Sequence, residues 1–257
     1  MRSLSGALDA LEFLTIVRAR RRMPDLDEVA AAQAWFPAIG LLLGLALLGA
    51  DRAASRALPP AATDVLLVVL LAALTGALHL DGLGDAADGL LGGRDRERRL
   101  AIMRDPHAGS YAIVAIVSVL ALKWAGLVAL PGNVRFEALL LAPCLARLGM
   151  LAATAAFPYA RAGGMGVEFK GRATARVLAL GALPALVVAG ALLGTGGLFA
   201  ASFAVLCTLT LGAAAMRAVG GMTGDLYGAS VEISEALVLL FIAAMAQRGW
   251  MHPLLFG

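Results

Sequence analysis

Long runs of uncharged, mostly apolar residues alternate with short polar segments along most of the chain. A helix of about 20 residues crosses the hydrocarbon core of a bilayer. The run 177–216 is about twice that length, and Gly194-Thr195-Gly196-Gly197 divides it into two helices. The pattern therefore predicts an all-α helical bundle with about seven transmembrane helices. The predicted spans are 30–50, 65–80, 108–130, 138–157, the two halves of 177–216, and a last span that starts near Asp225 or Glu232 and runs to about 247.

The N-terminal segment has a different pattern. Its apolar residues recur at helical spacing, and a group of arginines follows them. This pattern predicts an amphipathic helix that lies at the cytoplasmic interface of the membrane. The residues concerned are Leu4, Leu8, Leu11, Phe13 and Leu14, then Arg18, Arg20, Arg21 and Arg22.

The composition supports a membrane protein. Of 257 residues, 60% are hydrophobic and 15% are charged, against about a quarter charged in soluble domains. A soluble enzyme, a disordered chain and a secreted disulfide scaffold are therefore excluded. We expect one membrane domain over 1–257, embedded in the lipid bilayer. The chain has no basic helix with interleaved aromatic residues, so nucleic acid is not an expected partner despite the net charge of +3.

The basic residues predict the orientation. Most of the 21 Lys and Arg residues fall in alternate loops, and such loops usually face the cytoplasm. The N-terminus, the polar segment 81–107, the loop 158–176 and the segment 220–235 are then all cytoplasmic. We expect a multi-pass protein of the cytoplasmic (inner) membrane, with its active site on the cytoplasmic side.

The most polar segment carries three acids at helical spacing. Asp81, Asp85 and Asp88 lie on one face of a helix, where like charges repel one another. Mg²⁺ would neutralise them and leave positions for water and phosphate oxygens. The three acids are therefore candidate metal ligands and catalytic residues. The alternative is that they are solvated helix ends. His79 is a candidate general base, although a structural partner of the acids is the commoner role for such a histidine.

A second acidic element lies near the C-terminus. Asp225 and Glu232 are seven residues apart, with small residues between them. If this element faces the first, the two helix ends can hold one or two metal ions, which would suit phosphoryl transfer.

Several cations accompany the acids. The guanidinium group matches phosphate oxygens well, so Arg104 and Arg147 are candidate substrate contacts. The ammonium group of Lys170 could also hold phosphate. The alternative for the loop cations is a role in topology alone. We expect Arg147 to pair with a carboxylate or line the site, and Lys123 to snorkel toward the interface. The full predicted substrate-binding set is Arg94, Arg104, Asp105, Arg147, Lys170 and Thr223.

These motifs resemble those of the cobalamin 5′-phosphate synthase family, in the same order and over essentially the whole chain. The acidic segment is the most specific of them. The segments are HLDGLGDAADG at 79–89, IMRD at 102–105, GMTGD at 221–225, FLT at 13–15, FPAIG at 36–40, and Lys170-Gly171.

The resemblance implies an integral membrane transferase of late cobalamin biosynthesis. The implied substrates are adenosylcobinamide-GDP and α-ribazole or its 5′-phosphate. The products would be adenosylcobalamin or its 5′-phosphate, together with GMP, and Mg²⁺ is the implied cofactor. A homo-oligomer, or association with other enzymes of the same pathway, is a further expectation.

Two other functions are compatible with parts of the pattern. Asp85-x-x-Asp88-Gly89 matches the start of the CDP-alcohol phosphotransferase signature, but Gly92-Gly93 replace its Ala-Arg pair and its second half is missing. A transporter or ion channel would use the acids and Arg147 as an ion pathway. That function predicts acids near the membrane midplane and an inverted repeat. We see no convincing repeat in the sequence.

Overall fold

The computed structural model describes residues 2–19, 26–163 and 165–254. Within these ranges the protein is built of α-helices and has no β-sheet, which confirms the all-α prediction. The helices are α1 (Arg2–Leu14), α2 (Leu26–Ala31), α3 (Phe36–Ala54), α4 (Pro60–Leu74), α5 (Leu78–Gly92), α6 (Arg96–Ile102), α7 (Ser110–Ala129), α8 (Arg135–Ala156), α9 (Met165–Arg172), α10 (Ala175–Val219) and α11 (Gly224–Gln247).

Helix α8 lies at the centre of the bundle. Nearly all of its residues are buried, and α3, α10 and α11 pack around it. Helix α3 approaches it most closely at two glycines one helical turn apart. A Cβ atom on Gly40 would lie 2.4 Å from the carbonyl oxygen of Pro143, and one on Gly44 would lie 2.7 Å from Cα of Leu140. Small residues at this spacing allow two membrane helices to pack backbone against backbone.

The second predicted span is broken in the structure. It was predicted over 65–80, but α4 ends at Leu74 and the chain bends by 88° before α5 begins. Gly76 and Ala77 both adopt left-handed backbone conformations, with φ of 59° and 56°. Two such residues in succession end a right-handed helix. Asp81, Asp85 and Asp88 therefore lie on α5, which is nearly perpendicular to α4.

Helix α10 folds back on itself at Gly194, which has φ 57° and ψ −137°. Gly181 lies against the side chain of Leu151, while Thr208 lies against Gly149, so both arms contact the same part of α8. In a straight helix Gly181 and Thr208 would be about 40 Å apart. The glycine-rich division predicted for this apolar run is therefore observed.

Candidate membrane spans can be counted among the helices. Within the described residues, five helices are long and apolar enough to span a bilayer, or six when α4 and α5 count as one broken span. The 45-residue α10 counts once in both totals although it has two arms. The chain is a multi-pass membrane protein, and the total of about seven spans stays a prediction.

The N-terminal helix packs onto the bundle. Leu14 in α1 is fully buried, and the ring of Phe13 lies 5.9 Å from that of Phe36 and 5.8 Å from that of Phe169. The apolar face predicted for this segment is therefore covered by protein at its C-terminal end. The predicted arginines Arg20, Arg21 and Arg22 lie outside the described residues.

Four buried charges connect three of the helices. Lys123 on α7 donates to Glu232 at 2.7 Å and to Glu235, both on α11. Arg147 on α8 donates to Glu235 at 2.7 Å. Arg147 therefore pairs with a carboxylate as predicted. The prediction that Lys123 snorkels is wrong, since its side chain is only 4% exposed and two glutamates hold it inside the bundle.

We predict that Gly44→Leu disrupts the packing of α3 on α8, because its side chain has no room against the backbone of Leu140. The melting temperature in detergent should fall by several degrees, as overpacking costs about 1–3 kcal/mol. Gly49→Leu on the same helix is the matched control, because a Cβ atom there meets nothing within 4 Å. Equal melting temperatures for the two variants would contradict this packing.

We predict that Lys123→Met lowers the free energy of unfolding by about 3 kcal/mol, because it leaves a buried glutamate without a cation. Lys123→Met with Glu232→Gln should recover part of this loss, since Glu235 keeps Arg147 as its partner. The measurement is denaturant unfolding in detergent micelles. A double variant no more stable than the single one would show that the charges are not coupled.

Candidate functional site

The candidate site lies where α5 crosses the start of α11. The two backbones touch at glycines on both helices. A Cβ atom on Gly82 would lie 2.9 Å from the carbonyl oxygen of Asp225, and one on Gly228 would lie 3.2 Å from Cα of His79. Only glycine allows so close an approach without displacement of a helix. The crossing brings the first acidic element against the second.

The carboxylates of the two elements meet at this crossing. Asp81 is exposed and Asp85 half-buried, while Asp88 is buried. Asp85 experiences the electrostatic repulsion of Asp81, Asp225 and Asp88, and the attraction of Arg161. The prediction that Asp225 faces the acidic stripe therefore agrees with the structure. Acidic groups held this close favour a bound cation.

Asp88 has a structural role at the opposite end of α5. Its Oδ2 accepts a hydrogen bond from the backbone N–H of Gly109, and its Oδ1 accepts one from Ala112 at 3.0 Å. These N–H groups lie at the start of α7, where backbone N–H groups have no acceptor within the helix. Asp88 therefore caps α7 and fixes it against α5, a role that its spacing from Asp81 and Asp85 did not predict.

A cavity of about 120 Å³ opens beside the acids. His79, Asp81, Asp225 and Tyr227 line it, with apolar side chains such as Phe169 opposite. The ring nitrogens of His79 and the hydroxyl of Tyr227 are buried and have no hydrogen-bond partner within the part of the chain that the structure describes. Buried polar groups are nearly always hydrogen-bonded, so these two side chains have donors and acceptors left for a ligand. His79 is thus not hydrogen-bonded to the acids beside it.

Asp225 is held by two donors. Arg161 donates to its Oδ2 at 2.7 Å, and the hydroxyl of Thr223 donates to the same atom at 3.2 Å. Thr223 also accepts from the backbone N–H of Leu226, which makes it the N-cap of α11. Thr223 is fully buried, so it positions Asp225 and does not itself reach the cavity as a predicted substrate contact would. Arg161 was not singled out in the sequence.

Glu232 lies apart from the other predicted metal ligands. It is paired with Lys123 in the buried charge group. Residues seven apart on a helix share a face but are separated by about 10 Å along its axis, so Asp225 and Glu232 do not reach one ion together. The structure thus gives Glu232 a structural role that differs from the predicted metal ligation.

The predicted cations fall into two groups. Arg94 and Arg104 are exposed, and Arg104 directly follows Met103, whose sulfur lies 3.9 Å from the hydroxyl of Thr223. Arg104 therefore follows a residue that packs against the N-cap of α11. Arg147 is fully buried, and Lys170 donates to the carbonyl of Ala155 at the end of α8. Arg147 and Lys170 thus bind groups of the protein itself, which differs from their predicted role as substrate contacts.

Asp105, the residue after Arg104, is also exposed. It accepts a hydrogen bond from the backbone N–H of His107 at 3.0 Å, and the His107 ring lies 2.7 Å away. These hydrogen bonds hold the pKa of the Asp105 carboxyl below its usual value. Asp105 is therefore ionised near neutral pH and orders the turn that leads into α7.

Two arginines of α6 stabilise the end of α10. Arg96 donates to the carbonyls of Val219 at 2.9 Å and Ala160 at 2.7 Å, and Arg99 donates to the carbonyl of Ala218 at 3.1 Å. Carbonyls in the last turn of a helix lack partners within the helix and attract cations. No pattern in the sequence distinguished these arginines from their exposed neighbour Arg98.

The predicted metal ligands do not form a complete cage by themselves. Among the described residues, no three Asp, Glu, His or Cys side chains lie together as a preformed metal cage. Mg²⁺ commonly binds one or two carboxylates and completes its octahedron with water and phosphate oxygens. Asp81 and Asp225 line the same cavity, with Asp85 near them, and could give such an ion one or two carboxylate ligands if water and phosphate groups of a ligand supplied the remaining positions.

Comparison with known proteins gives one consistent family. A family model described as cobalamin-5-phosphate synthase matches residues 6–243. The chain is similar to proteins named adenosylcobinamide-GDP ribazoletransferase from Pseudomonas paraeruginosa (42% identical over 245 residues) and Geotalea daltonii (39% over 243). These alignments cover 94% and 93% of this chain, and 98% and 97% of the relatives. No solved structure matches the chain.

We predict that Asp88→Ala destabilises the protein, because the first turn of α7 loses its acceptor. The free energy of unfolding in detergent should fall by about 1–2 kcal/mol, the usual cost of a lost cap. Asp81→Ala is the control on the same helix: its side chain is exposed, so stability should change by less than about 0.5 kcal/mol. An Asp88→Ala variant as stable as Asp81→Ala would contradict the capping role.

Proposed function

Since the chain belongs to the cobalamin-5-phosphate synthase family, we propose that it is an adenosylcobinamide-GDP ribazoletransferase. Its substrates are adenosylcobinamide-GDP and α-ribazole or α-ribazole 5′-phosphate. It releases GMP and forms adenosylcobalamin or adenosylcobalamin 5′-phosphate. The function carries over from relatives that align with almost the full length of this chain.

One structural observation supports the proposal above all others. The crossing of α5 and α11 places Asp81 and Asp225 on the wall of a cavity that also contains unpaired polar groups. The diphosphate of such a substrate is negatively charged. A transferase has to neutralise this charge in a site that is shielded from bulk water. Carboxylates with a divalent cation meet this need, whereas solvated helix ends do not.

Asp81, Asp85 and Asp225 are the side chains that would hold Mg²⁺. When bound, the ion would neutralise charge on the diphosphate and on the departing GMP. Asp88 stabilises the position of α5, the helix that carries Asp81 and Asp85, because it anchors α7 to this helix. Arg94 and Arg104 are exposed cations in the segments that flank α6, and they would supply contacts for phosphate oxygens.

The reaction exchanges one phosphorus–oxygen bond for another. The ribose hydroxyl of α-ribazole attacks the phosphorus linked to cobinamide, and the bond between this phosphorus and the bridging oxygen breaks. The bridging oxygen leaves with GMP, while the hydroxyl proton passes to a base or to water. His79 lines the cavity with both ring nitrogens unpaired, so it is positioned to orient the hydroxyl or accept its proton.

The location follows from the apolar helices and the distribution of basic residues. We place the chain as a single domain in the cytoplasmic membrane, with its N-terminus and site on the cytoplasmic side. The nucleotide substrate is then supplied from the cytoplasm. Association with itself, or with other enzymes of cobalamin biosynthesis, belongs to the same proposal and is testable by cross-linking in membranes.

We predict that the protein in nanodiscs releases GMP from adenosylcobinamide-GDP when α-ribazole and Mg²⁺ are present, and that EDTA abolishes the release. Asp85→Asn and Asp225→Asn should each lower kcat by about 100-fold or more, because each variant weakens the hold on the ion that would neutralise the diphosphate. The measurement is GMP and corrin product by liquid chromatography.

Glu97→Gln is the matched control for these two variants. Glu97 is an exposed acid on α6, and its ion pair with Arg96 at 3.8 Å is solvated. The Glu97→Gln variant should retain nearly full activity. A folded wild-type protein that makes no GMP, or acidic variants that match Glu97→Gln, would overturn the proposed function or its site.

A further inference from the structure

Arg161 is held beside the site by the backbone around it. It follows Ala160, whose N–H donates to the carbonyl of Met222 at 2.8 Å, while the N–H of Met222 donates to Pro158 at 2.9 Å. Arg96 donates to the Ala160 carbonyl at 2.7 Å. The backbone just before Arg161 is thus fixed against the segment that leads into α11. Only the Arg161 side chain has to rotate for its guanidinium group to change partners.

The guanidinium group of Arg161 is only partly used. Its Nη2 binds Asp225 at 2.7 Å, and the side chain is 13% exposed. Its Nε is buried and has no acceptor among the described residues. Arginine presents its N–H groups as a rigid fork that matches phosphate oxygens. An unused donor next to a cluster of carboxylates is therefore available for an anionic ligand.

Arg161 competes with a metal ion for Asp225. The Oδ2 atom accepts from both Arg161 and Thr223, which occupies the two lone pairs of that oxygen. The Thr223 oxygen stays beside Asp225, because it accepts from the backbone N–H of Leu226 as the cap of α11. A cation that binds this oxygen of Asp225 would have to displace Arg161, and a cation at the other oxygen would be repelled by the guanidinium group beside it.

We propose that Arg161 occupies Asp225 while the site is empty and moves to a phosphate group of the nucleotide substrate when Mg²⁺ takes Asp225. This inference rests on the proposed function for its substrate. Arg161 neutralises Asp225 in the resting protein and neutralises the diphosphate in the loaded one. Metal and substrate then bind cooperatively, since each helps to move the same side chain.

Binding of Mn²⁺ in place of Mg²⁺ tests the competition without any turnover. Free Mn²⁺ is measured by electron paramagnetic resonance on the purified protein in nanodiscs, without substrate. Arg161→Gln should bind Mn²⁺ about fivefold more tightly than wild type, because the competing cation is gone. Arg161→Lys should stay near wild type, because it keeps the charge beside Asp225. Arg98→Gln, at an exposed arginine of α6, should leave the Mn²⁺ affinity unchanged.

Steady-state kinetics test the second position of the side chain. Arg161→Gln and Arg161→Lys should both raise KM for adenosylcobinamide-GDP by about tenfold, since neither side chain has the fork that binds phosphate. Arg98→Gln should keep its KM. An Arg161→Gln variant with unchanged Mn²⁺ affinity overturns the inference, as does an Arg161→Lys variant with unchanged KM.

Failure of the inference differs from failure of the proposed function. If wild-type protein turns over while Arg161→Gln matches it in Mn²⁺ affinity and KM, only the role of Arg161 is wrong. If wild-type protein makes no product, the proposed function fails. The Mn²⁺ measurement still decides in that case whether Arg161 and a metal compete for Asp225.

Discussion

The contact between the backbones of α5 and α11 is the constraint on which the site depends. Side chains at Gly82 and Gly228 would press on the backbone of the other helix, so the two helices lie closer together than larger residues would allow. This contact brings Asp225 within electrostatic reach of Asp85. The acids repel one another, and packing of the whole bundle must hold them together against that repulsion.

The buried charge group is part of that packing. In a bilayer an unpaired charge is costly, whereas paired charges fix which helices meet and in which register. Glu235 on α11 is bound by both Lys123 of α7 and Arg147 of α8, so the helix that carries Asp225 is held on two sides. A transporter would also place charges within its spans, but these four residues carry two positive and two negative charges and bind one another.

The sequence predicted which segments are helical and which family they form, but not which residues face each other between helices. Apolar runs located α3, α7, α8, α10 and α11 closely, and the turn at Gly194 had a glycine-rich signal. The break after Leu74 depends on a left-handed Ala77, and alanine gives no sign of that conformation. Periodicity describes one helix at a time, so it could not reveal that Asp88 caps α7 or that Arg161 binds Asp225.

Acids with similar spacing therefore have different roles. Asp225 and Glu232 differ in how far along α11 they lie, and this decides their partners. Asp225 lies in the first turn of α11, close to the cavity, whereas Glu232 is two turns further into the bundle beside Lys123. In water the two carboxylates would be similar groups. In this fold, Asp225 is next to an arginine with an unused donor, whereas Glu232 is paired with the buried Lys123. The partner that each acid meets decides whether it is free to bind a metal ion or has to stabilise the bundle.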